Sequence, residues 1–268
     1  MTETALLASV GMIAESVSDR RPLLEQTFVC LDRDAQASGL SFTVTEDMAT
    51  FAAALAATGK FLPSAFDPKL KPFRSGEAAA VLVRDRSGLA ATHAIRLYRF
   101  GITSLADYLA TLSLFYANPV EQMVRGERLI IEGEAERFAS TIDDRAVYVG
   151  GFWVRPDLRG QASTLAYVMP MAVRALAAAR WGGQYSFSLM KRWITDPARA
   201  QRVGEPSVYE KITWIRPHVP EDSDLVLMAT EPEAAFLRAE AFVSGRRQLM
   251  VGRDGRSGDA ARPLPIKQ

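Results

Sequence analysis

The chain of 268 residues has one cysteine, Cys30, and two histidines, His93 and His218. One cysteine excludes an internal disulfide and any all-cysteine metal cluster, and two histidines without local Cys/His spacing exclude a structural zinc site of the usual kind. Charge of one sign is missing too: 32 Lys+Arg against 31 Asp+Glu leaves a net +1. Such a chain has no long-range field to gather nucleic acid or an anionic membrane. No apolar run approaches the roughly 20 residues that cross a bilayer. The opening M-T-E-T-A-L-L lacks a basic leader, and no cleavage site follows. Internal repeats are absent as well. The expectation is a soluble, cytoplasmic protein with no metal, no nucleic acid and no membrane among its partners.

What is present is a 48% hydrophobic composition, enough for a sizeable core. The first 40 residues read as helix, interrupted at Ser18 to Pro22. Leu40 to Val44 reads as a short strand, and Thr45 as the cap of a helix through Phe51 and Leu55. Three prolines make Lys60 to Gly76 an irregular surface loop. Ala78 to Val83 and Leu89 to Arg99 form a hairpin around R-D-R-S-G. Ser104 with Asp107 is a capping-box start for a helix running through Phe115, which Asn118-Pro119 ends. On that helix Tyr108, Leu112, Phe115 and Tyr116 share a face, and a core stripe is favoured over a pocket wall. The acidic stretch Glu132 to Asp144 reads as a connector.

Three segments then carry the chemistry: a strand from Ala146 to Val154, a polar turn, and a long apolar helix from about Leu165 to Arg180. This order gathers backbone N–H groups and the positive end of a helix at one point, a natural cradle for phosphate. Pro170 lies inside the helix and predicts a kink or a restart. The pair Gly150-Gly151 inside the strand predicts a bulge or a close backbone approach. Gln184 to Met190 alternates as a half-buried strand. Leu225 to Thr230 is a further strand, followed by a helix over Glu231 to Ala241, and Gly252 onward is a mobile tail.

The turn V-R-P-D-L-R-G-Q-A-S-T resembles the acyl-CoA-binding motif of the GNAT superfamily of N-acyltransferases, V-x-P-x-x-R-G-x-G-x-G. Val154, Pro156, Arg159 and Gly160 match, and Ala162 and Thr164 replace the later glycines. The resemblance covers roughly Ala78 to Thr230. It implies that Arg159, Gly160, Gln161, Ala162, Ser163 and Thr164 hold the pyrophosphate of coenzyme A. It also implies a splayed central strand, with the backbone of Phe152 facing the thioester oxygen and that of Val154 bonding the pantetheine amides. The segment S-V-Y-E-K-I-T-W resembles the family's Y-E-K-x-G-F, which would make Tyr209 the acid that protonates the departing thiolate. Ile212-Thr213-Trp214 departs from that pattern. As general base Asp144 is nominated, from a set that includes Asp143, Glu132 and Glu134. His93 reads as a satisfied, partly buried residue.

The expected fold is therefore α+β, in three α/β/α layers, GNAT-like. Its sheet is mixed but mostly antiparallel, with helices on both faces and splayed central strands. Residues 1–77 would form an N-terminal segment packed on a core at 78–245. That core carries a helical insertion at 101–144, and a tail covers 246–268. The expected activity is transfer of an acyl group, foremost acetyl, from acyl-CoA to the primary amine of a small molecule or peptide. No metal is required, and a homodimer is left open. Two alternatives remain: a domain of this type that has lost catalysis and serves as a binding or regulatory module, and an amide-forming synthase using a longer acyl chain.

Overall fold

A computed structural model describes residues 4–6, 8, 11, 13–159, 163–192, 207–217 and 223–254. Nine strands form one sheet: β1 (Thr4–Ala5), β2 (Ser41–Thr45), β3 (Ala78–Asp85), β4 (Gly88–Arg99), β5 (Arg128–Ile131), β6 (Arg145–Val154), β7 (Tyr185–Lys191), β8 (Ser207–Ile215) and β9 (Ser223–Thr230). Their order across the sheet is β1-β2-β3-β4-β6-β7-β9-β8-β5. Every neighbouring pair is antiparallel except β6 with β7. The helices are α1 (Arg21–Ala37), α2 (Met48–Ala56), α3 (Leu105–Ala110), α4 (Pro119–Gln122), α5 (Gly133–Ser140), α6 (Ser163–Trp181) and α7 (Pro232–Asp254).

Alternation along the strands sends side chains to two separate cores. On one face Val81, Ile95, Val147 and Val149 meet Phe28 and Leu31 of α1, Val173 and Leu176 of α6, and Phe236 of α7. On the other, Leu82, Ala94, Tyr148 and Phe187 meet Phe51 of α2, Phe66, Leu105 and Leu109 of α3, and Ala135 and Ala139 of α5. The protein is thus α+β, a mixed sheet with helices on both sides.

Local signals are realised at the hairpin and at α3. There Ser104 Oγ accepts from Asp107 N–H (3.3 Å) and the Asp107 carboxylate accepts from Ser104 N–H (2.8 Å). Other expectations need correction. The cap of α2 is Asp47, whose carboxylate accepts from Ala49 N–H at 3.0 Å, while Thr45 Oγ1 accepts from Asp47 N–H. Helix α3 ends at Ala110 rather than reaching Phe115, because Leu112 takes a left-handed φ of 58° and turns the chain. The acidic connector contains helix α5, and α7 runs on to Asp254, past the expected start of a tail. Helix α6 continues through Pro170 without a restart. The strands β1 and β2 of the N-terminal segment are hydrogen-bonded into the same sheet as the core.

The irregular stretch before β3 is held from inside. Arg96, 3% exposed on β4, donates to the carbonyls of Ala65 (2.7 Å), Lys71 (3.1 Å) and Pro72 (2.8 Å), and its guanidinium lies 4.2 Å from the Phe73 ring centre. Charge-assisted bonds from one side chain replace the ladder that this proline-rich backbone cannot make.

Candidate active site

The site begins where β6 and β7 part. Their parallel pairing covers Ala146↔Tyr185, Val147↔Ser186 and Tyr148↔Phe187 and then stops, although β6 continues to Val154 and β7 to Lys191. The central strands are therefore splayed. The cause lies in β6 itself. Its register against β4 jumps from Ala94↔Gly150 to Thr92↔Trp153, so Gly151 and Phe152 together oppose His93. This bulge bends the strand and raises its local twist. Gly151 is required there, and Gly150 keeps its neighbours from being crowded. Gly151 has φ +63°, and a Cβ there would stand 2.7 Å from Phe51 Cζ, while a Cβ on Gly150 would come within 3.0 Å of Phe66 and 3.1 Å of Tyr148.

Arg155 N–H donates back to Ala90 O of β4 (2.9 Å). By the alternation of backbone groups along a strand, Val154 turns its N–H group to the opposite, parted edge, while Phe152 lies within the bulge, where that alternation is interrupted. Val154 is buried, and its carbonyl accepts from Arg159 Nε at 2.9 Å, so Arg159 folds back over the end of the strand. Phe152 is half-exposed, its ring 5.0 Å from that of His93. The turn after β6 is pinned by Arg155, which donates to both oxygens of Asp85 in the β3–β4 hairpin (3.0 and 2.5 Å) and to Asp157 (2.7 Å). The guanidinium beside it holds the Asp85 carboxyl below the usual carboxylate range. Gly160, Gln161 and Ala162 lie outside the described residues. Ser163 and Thr164 open the first turn of α6.

A cavity of about 360 Å³ adjoins the parting point on the α3 side of the sheet. Phe61, Pro63 and Ser64 come from the strutted loop, Phe115, Tyr116, Val124 and Glu127 from the segment before β5, Tyr148 from β6, and Trp214, Arg216 and Pro217 from the end of β8. Glu127, 6% exposed, accepts from Tyr116 Oη (3.1 Å), Trp214 Nε1 (2.9 Å) and Val124 N–H (3.2 Å). Burial, then the neighbouring Glu127 charge, push the Tyr116 phenol up to about 12. Tyr148 packs between Phe66 (ring centres 5.5 Å) and Phe187 (5.4 Å), and burial raises its phenol to about 12. It lines the cavity at the last paired position, and among the described residues nothing bonds its hydroxyl.

Tyr209 lies on β8. It pairs with Leu227, which pairs with Leu189 of β7. It is therefore level with the parted stretch and two strand spacings from β7, about 10 Å. Its ring stacks on Phe138 of α5 at 4.2 Å. Asp144 is misplaced for a base. Its side chain is 86% exposed, paired with Arg145 at 3.6 Å, and it precedes the closed end of β6. At about 3.3 Å per residue it stands roughly 17 Å from the start of the gap. Asp143, Glu132 and Glu134 are exposed as well. His93 is buried with Nδ1 unpartnered, and burial depresses it to about 3. Phe115 and Tyr116 are buried in the core, as read, and also line the cavity. Glu127 and Tyr148 carry no signal in the sequence alone: the first lies in the loop before β5, the second inside the apolar run of β6.

No protein-family model matches the chain, and no curated protein matches it. Among solved structures, an uncharacterized protein from Bacillus halodurans aligns with TM-score 0.42 and 8% identity, over 77% of this chain and 91% of that one. A protein assigned as a phosphinothricin N-acetyltransferase aligns with TM-score 0.38 and 12% identity, over 72% and 98%. An acetyltransferase of the GNAT family from Streptococcus agalactiae aligns with TM-score 0.31 and 10% identity, over 71% and 96%. At these levels the likenesses bear on neither activity nor substrate, which leaves the chemistry to the geometry of the gap and the cavity.

Proposed function

We propose that the protein is an acyl-CoA-dependent N-acyltransferase in which the gap between β6 and β7 admits the acyl-pantetheine arm and the adjoining cavity admits the amine. The observation that carries this reading is the parted strand pair, opened by a Gly-Gly bulge and bordered by a ligand-sized cavity. The chain's own groups fit a pantetheine thioester. An unpaired strand edge offers backbone N–H groups to an extended amide-bearing arm, as in strand addition. The turn held by Arg155 delivers the chain to the N-terminus of α6, where a phosphate is favoured.

When bound, the co-substrate supplies a thioester carbonyl carbon open to attack. A neutral amine nitrogen from the cavity attacks it. The C–N bond forms and the C–S bond breaks; sulfur keeps the electron pair and is protonated to the thiol, while the proton lost by nitrogen passes to water. Backbone N–H at Phe152 stabilises the charge that develops on the carbonyl oxygen. Tyr209, level with the gap, is the proposed proton donor to sulfur, and the chief contribution of the remaining residues is positioning.

Calorimetry with acetyl-CoA, followed by thiol release against a panel of primary amines, tests the reading. Acetyl-CoA at 100 times its Kd should stabilise the fold by about 2.7 kcal/mol. Absence of binding to acetyl-CoA and to longer acyl-CoA sinks the proposal. Binding without turnover across the panel would instead establish a module that has kept the cofactor and lost the reaction.

A further inference from the structure

Glu127 and Arg216 bring opposite charges to one cavity, yet among the described residues neither has an ionic partner. Glu127 accepts only from a phenol, an indole and a backbone amide. All are neutral donors, and these oxygens can accept more, since a carboxylate offers about four lone-pair sites. Arg216 gives Nη2 to Ser223 Oγ (2.7 Å), and its Nε is buried with no hydrogen-bond partner. A guanidinium has five N–H donors in a fork suited to a carboxylate. Left unmatched beside a cavity, such charges are costly, and an ion pair between the two residues would have been the simplest remedy.

The two groups nevertheless meet on one indole, Glu127 at its N–H edge and Arg216 over its ring. Trp214 Nε1 donates to Glu127 at 2.9 Å, while the Arg216 guanidinium lies 5.2 Å from the Trp214 ring centre. A ligand that satisfies both must carry a cation and an anion only a few bonds apart. Apart from the hydroxyls of Ser64, Tyr116 and Tyr148, the remaining lining is apolar: Phe115 stacks on Trp214 at 4.4 Å, and Phe61, Pro63, Val124 and Pro217 complete it. A volume of about 360 Å³ is at the small end for ligand pockets and suits a single small molecule.

We infer that the cavity binds a free α-amino acid with an aromatic or branched apolar side chain, its ammonium on Glu127 and its carboxylate on Arg216. Its role as acyl acceptor rests on the acyl-transfer reading; its binding does not. To act as acceptor the ammonium first gives up a proton to water and leaves Glu127 as the neutral amine; the Tyr148 hydroxyl, which no described residue bonds, lines the same cavity.

The test is calorimetry on the full chain with L-phenylalanine, L-tyrosine, L-tryptophan and L-leucine, each beside its decarboxylated amine and its deaminated acid. At least one amino acid should bind tenfold or more tighter than both of its single-charge analogues. Arg216→Gln should abolish the preference over the amine, and Glu127→Gln the preference over the acid. Melting curves monitor whether the variants fold, and the comparison on the unaltered chain requires no variant. If no amino acid of the panel binds, or an amine binds as tightly as its amino acid, the inference is overturned. Acetyl-CoA is titrated separately. Amino-acid binding without acyl-CoA binding sinks the transferase and keeps this site; the converse sinks this site and keeps the transferase.

Discussion

The two halves of β6 are built from one continuous strand and do opposite things. Arg145 to Tyr148 is hydrogen-bonded on both edges, to β4 and to β7. Among the described residues, Val149 to Val154 is bonded on the β4 edge only, and it carries the bulge. The closed half is apolar and regular, and its contribution is burial: Ala146, Val147 and Tyr148 are all inside. The open half gives up a ladder and places two glycines where other strands would place side chains. A sheet can thus expose backbone donors in its interior without exposing an outer edge, because the two strands stay paired at one end and part at the other.

The largest expected effect tests whether the open half is the reacting one. Tyr209→Phe should lower kcat for thiol release by about 10²–10⁴-fold with acetyl-CoA affinity unchanged. Its ring stacking on Phe138 survives in the variant. Full turnover would leave the sulfur to be protonated by water.

Next is the bulge. Gly151→Ala forces a Cβ against Phe51 at a positive φ. It should cost about 3 kcal/mol by urea denaturation, from overpacking and left-handed strain together. Gly150→Ala, with φ unconstrained and contacts of 3.0 Å and more, should cost less. Equal costs would mean that the bulge conformation contributes nothing.

His93 opposes the bulge and sharpens the comparison through pH. Its folded-state value of about 3 lies below the ordinary 6.5, chiefly because burial disfavours the charged form. Below pH 6.5 the unfolded chain takes a proton that the folded chain refuses. Stability is therefore lost as pH falls from about 6.5 toward 3, at up to about 1.4 kcal/mol per pH unit from this group. His93→Gln should remove that slope between pH 6 and 4. An unchanged slope would assign acid sensitivity elsewhere.

The smallest effect belongs to the closed end. Asp144→Asn should change stability by less than about 0.5 kcal/mol, as exposed pairs do, and should leave turnover intact. A large loss of turnover would place the reaction at the wrong end of β6.

Much of this architecture was legible in the sequence. The capping box at Ser104, the β3–β4 hairpin, the strand with its glycine pair and the long helix after it all announce themselves through local chemistry. The misses share a different cause. Strand β5 has only four residues, too few for alternation to stand out, and α5 buries little more than Ala135 and Ala139. Strand β8 hides because Lys211 adopts a φ of 68° at a bulge, so Tyr209 and Ile212 no longer keep a two-residue period. The cavity was invisible for a deeper reason. Glu127, Tyr148 and Trp214 are distant in sequence and meet only through strand order, and each alone looks like a surface charge or a core aromatic.

Three residue pairs, Ala146 to Tyr148 against Tyr185 to Phe187, are the whole hydrogen-bonded seam between five strands on one side and four on the other. Mechanically this is a short hinge joining two plates. The cavity spans it, with Tyr148 on the first plate and Trp214, Arg216 and Glu127 beside the outer strands of the second. An occupant of the gap would touch both plates, and so would one held in the cavity. If one occupant fixes an angle that suits the other, each tightens the other's binding by the same factor, since such coupling is reciprocal.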